Sequence, residues 1–457
     1  MKELLLLSSL GIFALLAEMI NARKIIFPAV IAGLCLNIFF CLNDIMAGNN
    51  ENIFNMLLLD KIPLVFTLLL SVLAIFWFVM AKNYFKDETN LSDHFALVLF
   101  SMVGVFLLTS YTHMSMLFLG VEILSIPVYV LAGSDKRNTY SNEAAFKYFL
   151  LGAFASGFLL LGITFVYGGT GSFNTLQIAS SSVLGAGVSK QLLTIGLLLI
   201  LFAMAFKVSA VPFHFWTPDV YTGAPTVVTA YMSTIVKLGA LAGFYRLFSI
   251  VLVFDATTFT TTLIIISVLT IVVGNVIAAS QSNTKRLLAF SSIGHAGFVL
   301  LANTMLSPST PYVVWYYLTA YTLSSMAAFW VLIKLDNHDI SAFNGLVKRN
   351  PLLAGTMTIA LLSMAGIPPM AGFFAKYFVL LNTIQNKSVL IAVIAILASL
   401  IGVYYYFKII IAIFSGKEIN SAKIELSWLD KIGLVLISIL IILLGVLPDA
   451  CYNLLFR

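Results

Sequence analysis

Twenty-five Lys and Arg and nineteen Asp and Glu make up only 10% of the 457 residues, so the few charges inside long apolar runs stand out. Five lysines fall there: Lys147, Lys207, Lys237, Lys376 and Lys408. Glu122 joins them, with apolar turns on both sides. A lysine or acid at the centre of a membrane span costs roughly 2.5–3.5 kcal/mol on insertion scales, and normally lines an interior path or meets a partner. A buried carboxylate and ammonium in contact can exchange a proton when either moves, because desolvation opposes the charge on each while proximity supports it. Glu122, Lys207 and Lys237 each have roughly two apolar turns on either side, too deep for a short carboxylate to reach water. They read as members of a proton relay. Lys147 and Lys408 sit nearer run ends, where a long side chain keeps its stem in lipid and its head at the interface. Glu18, also near a run end, can pair with Arg23 or Lys24.

Two runs that carry these lysines contain proline breaks. FKVSAVPFHFWTPDVYTGAP, from Phe206 to Pro225, holds Pro212, Pro218 and Pro225; SMAGIPPMAGFFAKYFVLL, from Ser363 to Leu381, holds Pro368 and Pro369. Proline removes a donor and frees a carbonyl, and irregular backbone at membrane depth survives only where protein or water covers it. Paired interruptions in two halves of a chain mark the transport site of internally repeated carriers. Lys207 precedes the first break and Lys376 follows the second. His214, beside Pro212, and His295, in FSSIGHAGF, can pass protons between their two ring nitrogens; each can equally be a satisfied polar group in a helix contact. His113 falls in a short connection and reads as interfacial.

The elements that position these groups are membrane helices. Hydrophobic residues make up 61% of the chain and the mean hydropathy is +1.03, far beyond the roughly 45–50% apolar usage of soluble domains. Apolar runs begin near Leu4, Ile25, Ile62, Phe95, Met114, Ala144, Leu192, Thr226, Phe259, Leu287, Tyr312, Leu352, Val389 and Ile432, giving fourteen candidate helices. Their length fits helices of about 20 residues rather than alternating barrel strands of about ten. The first run reads as a retained span, since Lys2 and Glu3 cancel and no small-residue cleavage site follows. Fourteen basic residues, Arg23, Lys24, Lys82, Lys86, Lys136, Arg137, Lys285, Arg286, Lys334, Lys348, Arg349, Lys417, Lys423 and Lys431, fall in one set of connections. Six, Lys2, Lys61, Lys190, Arg246, Lys387 and Arg457, fall on the other side. Basic residues are retained in the cytoplasm, so both termini are expected on the opposite face. That asymmetry accounts for the net charge of +6 and leaves nothing for a nucleic-acid partner. Cys35, Cys41 and Cys451 have no metal or disulfide spacing, and no haem, iron–sulfur or nucleotide motif is present.

Four stretches together resemble the antiporter-like subunit N family of proton-pumping NADH:quinone oxidoreductase, respiratory complex I. They are SNEAAFKYFLLGAFASGFLLLGITFVYGGTG from Ser141 to Gly171, PFHFWTPDVYTGAPT from Pro212 to Thr226, KRLLAFSSIGHAGF from Lys285 to Phe298 and AGIPPMAGFFAKYFVL from Ala365 to Leu380. The likeness runs over nearly the whole chain. It implies an all-α integral membrane protein of about fourteen helices: three N-terminal helices (1–90), a first five-helix repeat of helices four to eight (91–250), an inverted second repeat of helices nine to thirteen (255–415) and a C-terminal helix (416–457). Helices seven and twelve are the broken ones. The resemblance assigns Glu122 as the fifth-helix glutamate, Lys207 as its partner, Lys237 as the eighth-helix lysine and Lys376 as the lysine near the outlet, with His295 and His214 as further candidates. Thr222 departs from a family that often has an acid there, which weakens a proton-entry role for that loop. The implied function is proton translocation driven by quinone reduction elsewhere in an inner-membrane complex. FMN, iron–sulfur clusters, NADH and quinone would then reside in partner subunits, with antiporter-like subunits as neighbours. The alternatives are a subunit of a multisubunit cation/proton antiporter, and a membrane scaffold whose buried charges only hold helices together.

Overall fold

The computed structural model describes all residues except 21, 83, 86–90, 185–188, 255, 305–306, 336, 386–387, 416–422 and 457, and the side chains of 181–184, 250–254 and 256 are also outside the description. Lys86, Lys387, Lys417 and Arg457, used above for orientation, and the boundary positions 90, 255 and 416 lie outside the described residues.

The first half of the chain forms α1 (Lys2–Met19), α2 (Arg23–Ala47), α3 (Lys61–Ala81), α4 (Leu91–Ser110), α5 (Met114–Ala132), α6 (Thr139–Thr170), α7 (Thr175–Leu184), α8 (Lys190–Lys207), α9 (Trp216–Gly223), α10 (Thr226–Tyr231) and α11 (Lys237–Phe254). The second half forms α12 (Ala256–Ala279), α13 (Thr284–Ala302), α14 (Thr310–Ile333), α15 (Leu346–Arg349), α16 (Pro351–Ala365), α17 (Ala371–Gln385), α18 (Val389–Ser415), α19 (Trp428–Val446) and α20 (Pro448–Leu455). The one departure from an all-helical reading among the described residues is a small antiparallel hairpin, β1 (Glu51–Ile53) and β2 (Leu57–Leu59), between α2 and α3.

Polar residues start these helices by accepting otherwise unpaired backbone donors. Asp60 does so for Ile62, Asn138 for Tyr140, Asn283 for Arg286 and Asn350 for Leu353. Among the described residues, eleven helices are long and apolar enough to cross a bilayer, the α10–α11 segment Thr226–Ser249 counting as one. The other three apolar runs are helical but fall short for physical reasons. Lys2, Glu3 and Glu18 charge α1, Lys285 and Arg286 and then His295 lower the hydropathy of α13, and the twelfth run is split into α16 and α17, of 15 residues each.

Close backbone approach binds the helices that frame the breaks. Cβ atoms added at Gly162 of α6 and Gly196 of α8 would each lie within 2.8 Å of the other glycine's carbonyl oxygen, and one at Gly274 of α12 would lie 2.5 Å from the Gly294 nitrogen of α13. Both proline breaks are stitched to their surroundings by polar groups. In the first, between α8 and α9, Trp216 Nε1 donates to the Phe206 carbonyl at 3.1 Å and the Val211 amide donates to Thr270 Oγ1 at 2.9 Å. In the second, between α16 and α17, the Gly372 amide donates to Ser363 Oγ at 3.1 Å. Gly366 opens that break at φ +83, a left-handed conformation that favours glycine. Between α10 and α11 the same span widens into a π-helix, Met232–Val236, directly before Lys237.

Candidate functional site

A first cluster is built from α5, α6 and α8, with Glu122 on α5 and Lys207 on α8. Lys207 closes α8 and is buried, and its ammonium donates to Ser125 Oγ and lies 5.7 and 5.6 Å from the ring centres of Tyr129 and Tyr148. Aromatic faces attract cations at that range. Ser125 is one turn beyond Glu122 on α5, and the Glu122 carboxylate accepts from Ser156 Oγ of α6. No ion pair joins Glu122 to Lys207 among the described residues. The direct contact expected from the sequence is replaced by a hydroxyl on each side. A cavity of about 10 Å³, lined by Ser156, Tyr129 and Lys207, lies beside them, on the scale that holds one water.

A second cluster spans α11, α13, α14, α17 and α18. The Lys237 ammonium donates to the Ser292 carbonyl at 2.8 Å and to Ser292 Oγ at 2.7 Å. One turn further along α13, His295 Nδ1 is 2.8 Å from the Tyr317 hydroxyl and Nε2 is 3.2 Å from the Tyr406 hydroxyl, which in turn meets Ser291 Oγ. A neutral imidazole donates from one nitrogen and accepts at the other, so His295 is wired on both sides. Lys376, in the second turn of α17, donates to the Ala365 carbonyl freed by the break at 2.9 Å and to Ser399 Oγ of α18 at 2.8 Å, and its ammonium lies 5.7 Å from the Phe298 ring centre. His295, Tyr317, Tyr321 and Lys376 line a further cavity of about 10 Å³. No carboxylate enters this cluster among the described residues.

The remaining charges divide. His214 lies in the first break, buried, with Nδ1 lacking a protein partner, and no described contact ties it to Lys207. Lys147 is half exposed and pairs with Glu143 at 2.6 Å and Asp219 at 3.3 Å; Lys408 is exposed. Glu18 accepts from Ser92 on α4. His113 caps α5, accepting from the Ser115 amide. The three cysteines are free, and no group of three potential metal ligands occurs among the described residues. The hydroxyls were not legible as site residues, because serine and tyrosine are ordinary in helix contacts. Lys285 was misread: placed among loop lysines, it is in fact 4% exposed and donates to the carbonyls of Thr222, at 3.2 Å, and Ala224. Thr222 thus takes part through its backbone, and its hydroxyl donates to the Pro218 carbonyl at 2.6 Å.

Residues 111–402 match the family model described as NADH:quinone oxidoreductase/Mrp antiporter, TM. A protein of Cytophaga hutchinsonii named NADH-quinone oxidoreductase subunit N is 42% identical over 98% of this chain and 98% of its own length. One of the same name from Flavobacterium psychrophilum is 39% identical over the full length of both. Among solved structures, a chain of respiratory complex I from Thermus thermophilus with bound aureothin superposes with a TM-score of 0.86 at 31% identity, covering 99% of this chain and 98% of that one.

Proposed function

Because the chain belongs to the NADH:quinone oxidoreductase/Mrp antiporter transmembrane family, we propose that it is the antiporter-like subunit N of a respiratory NADH:quinone oxidoreductase and moves protons through its own interior, driven by quinone reduction in partner subunits. The observation that carries this reading is the polar line across the apolar core: Glu122–Ser156, Lys207–Ser125, Lys237–Ser292, His295 between two tyrosines, and Lys376–Ser399. Each member can hold a proton or pass one on, and the two water-sized gaps lie where side chains do not meet.

In this reading a change near Glu122 alters the electrostatic field at Lys207, whose proton leaves through Ser125 and water. A proton on Lys237 passes by Ser292 and His295 towards Lys376, and the Ala365 carbonyl and Ser399 hold the ammonium that receives it. No electron is transferred in these steps. FMN, iron–sulfur clusters, NADH and quinone belong to partner subunits, and other antiporter-like subunits are neighbours in the membrane. The fourteen runs form three N-terminal helices, two inverted five-helix repeats (91–250 and 255–415) and a last helix, with the breaks in the seventh (α8–α9) and twelfth (α16–α17). The basic bias of the connections puts the Lys285 end of α13 at the cytoplasm of a bacterial inner membrane and both termini on the other side.

The test is NADH-driven proton uptake by vesicles containing the native complex. Glu122→Gln and Lys207→Ala should each reduce it sharply at normal assembly, and unchanged pumping by either variant sinks the relay. Sodium-dependent proton exchange without NADH would instead assign the chain to a cation/proton antiporter.

A further inference from the structure

An open cleft of about 660 Å³ lies at the Lys285 end of α13, and its lining includes Lys147, Asp219, Thr222, Lys285, Arg286 and His338. Of the six acidic and basic side chains that line it, Glu143, Lys147, Asp219 and Arg286 pair with one another, while Asp135 and Lys285 form no ion pair among the described residues. Asp219 is shared by Lys147 at 3.3 Å and Arg286 at 3.0 Å, and Lys147 also holds Glu143. Lys285 differs. Its side chain is buried at the floor of the cleft, and its ammonium is held by the Thr222 and Ala224 carbonyls at the end of α9 rather than by a carboxylate. Carbonyls orient an ammonium without supplying the countercharge that would fix its proton. Beside it, His338 forms a 3.2 Å hydrogen bond with Thr226 Oγ1, and its backbone carbonyl accepts from the Thr284 amide at 2.7 Å. Burial, and then the nearby Lys285 charge, hold His338 below the ordinary histidine value. Asp339 opposes this shift more weakly.

The floor of this cleft points at Lys237. Lys285 and Ser292, the acceptor of Lys237, lie on one face of α13 two turns apart, a rise of about 10 Å. On the parallel segment Thr226–Ser249, Thr226, Thr229, Ser233 and Lys237 recur at helical spacing and share a face. Thr229 and Ser233 are fully buried, and Ser233 Oγ meets the Tyr321 hydroxyl at 3.0 Å and Ser325 Oγ at 2.8 Å. Thr229 Oγ1 donates to the Tyr221 carbonyl at 2.8 Å; hydroxyls both donate and accept, so this face sets exchangeable groups at intervals between the cleft and the lysine at mid-core.

We propose that Lys285 is the proton-loading group of the relay, taking protons from water in the cleft and handing them along the Thr226–Thr229–Ser233 stripe to Lys237. An Nζ–H bond breaks as the proton leaves inward, the electron pair stays on nitrogen, and a proton from cleft water forms the bond again. This assignment rests on the proton-pumping function proposed above.

The experiment compares Lys285→Met, Lys285→Arg and Lys285→Cys in the native complex, measuring NADH-driven proton uptake in vesicles and complex content on native gels. Arginine keeps a positive donor for the Thr222 and Ala224 carbonyls but cannot release its proton. Both Lys285→Met and Lys285→Arg should lose pumping by about tenfold, a modest share of what a positioned acid–base group contributes. The Lys285→Cys complex should recover when alkylated with 2-bromoethylamine, which restores a titratable amine, and stay inactive with a trimethylammonium reagent. Normal pumping by Lys285→Arg, recovery with the fixed charge, or failure of all three variants to assemble each overturns the proposal, because a merely structural cation gives those results. Lys237→Met in the same vesicles separates the two readings. If it lowers pumping about tenfold while Lys285→Arg does not, loading by Lys285 fails and the relay stands; if it leaves pumping intact, the relay itself fails.

Discussion

At the scale of single residues, the hydroxyls beside the charges decide whether a lysine can work where it is. Lys207 is held by Ser125 and two tyrosine faces, and a hydrogen bond to a charged group is worth about 1.5–3 kcal/mol. Ser125→Ala removes the oxygen that accepts from Lys207 without changing any charge. The expected result is a loss of NADH-driven proton uptake of about tenfold, following from that energy, with complex content unchanged on native gels. Ser125→Thr keeps the hydroxyl and should retain most of the activity; equal loss in both would mean that packing, not the hydroxyl, matters. The sequence exposed Glu122, Lys207, Lys237 and Lys376 because a charge in hydrocarbon is costly wherever it stands. It hid Lys285, since a lysine in the first turn of a helix looks like a solvated loop residue until the end of α9 folds over it.

At the scale of elements, the breaks were legible as prolines, but how they are held was not. Gly372 shows why. A Cβ there would lie 1.8 Å from the Ser363 carbonyl oxygen, and backbone on both sides leaves nothing flexible to yield. Gly372→Ala should therefore push α17 off α16, displace Lys376 from Ser399, and lower both assembly and pumping. Gly355 on α16 meets nothing within 4 Å, and Gly355→Ala gains about 1 kcal/mol of helix propensity, so its complex should accumulate as well as the parent. Comparing the two on native gels isolates steric contact from helix propensity, and a stable Gly372→Ala complex would refute the close-packed break. The π-helix before Lys237 had no visible signal, since a single wide turn differs from an α-helix by one hydrogen-bond step and leaves the apolar pattern intact.

At the scale of the whole molecule, the question is whether these groups form one path or several independent sites. Two clusters, one around Lys207 and one around Lys237, His295 and Lys376, lie in a helical protein most of whose buried side chains are apolar. If a proton must visit Lys237 and then Lys376, either Lys237→Met or Lys376→Met stops the same flow, and the second substitution has nothing left to remove. Groups that act as a unit are strongly non-additive in this way, whereas independent sites multiply their losses. With each single variant reduced about tenfold, the double variant should also stay about tenfold down, not about a hundredfold. Lys408→Met provides the control: that side chain is exposed on α18 and should leave pumping unchanged. The readout is initial proton uptake per NADH oxidised in vesicles with equal amounts of assembled complex. Multiplicative losses would show that Lys237 and Lys376 serve separate routes, so the polar line between them through Ser292 and His295 would be a packing feature and not a path.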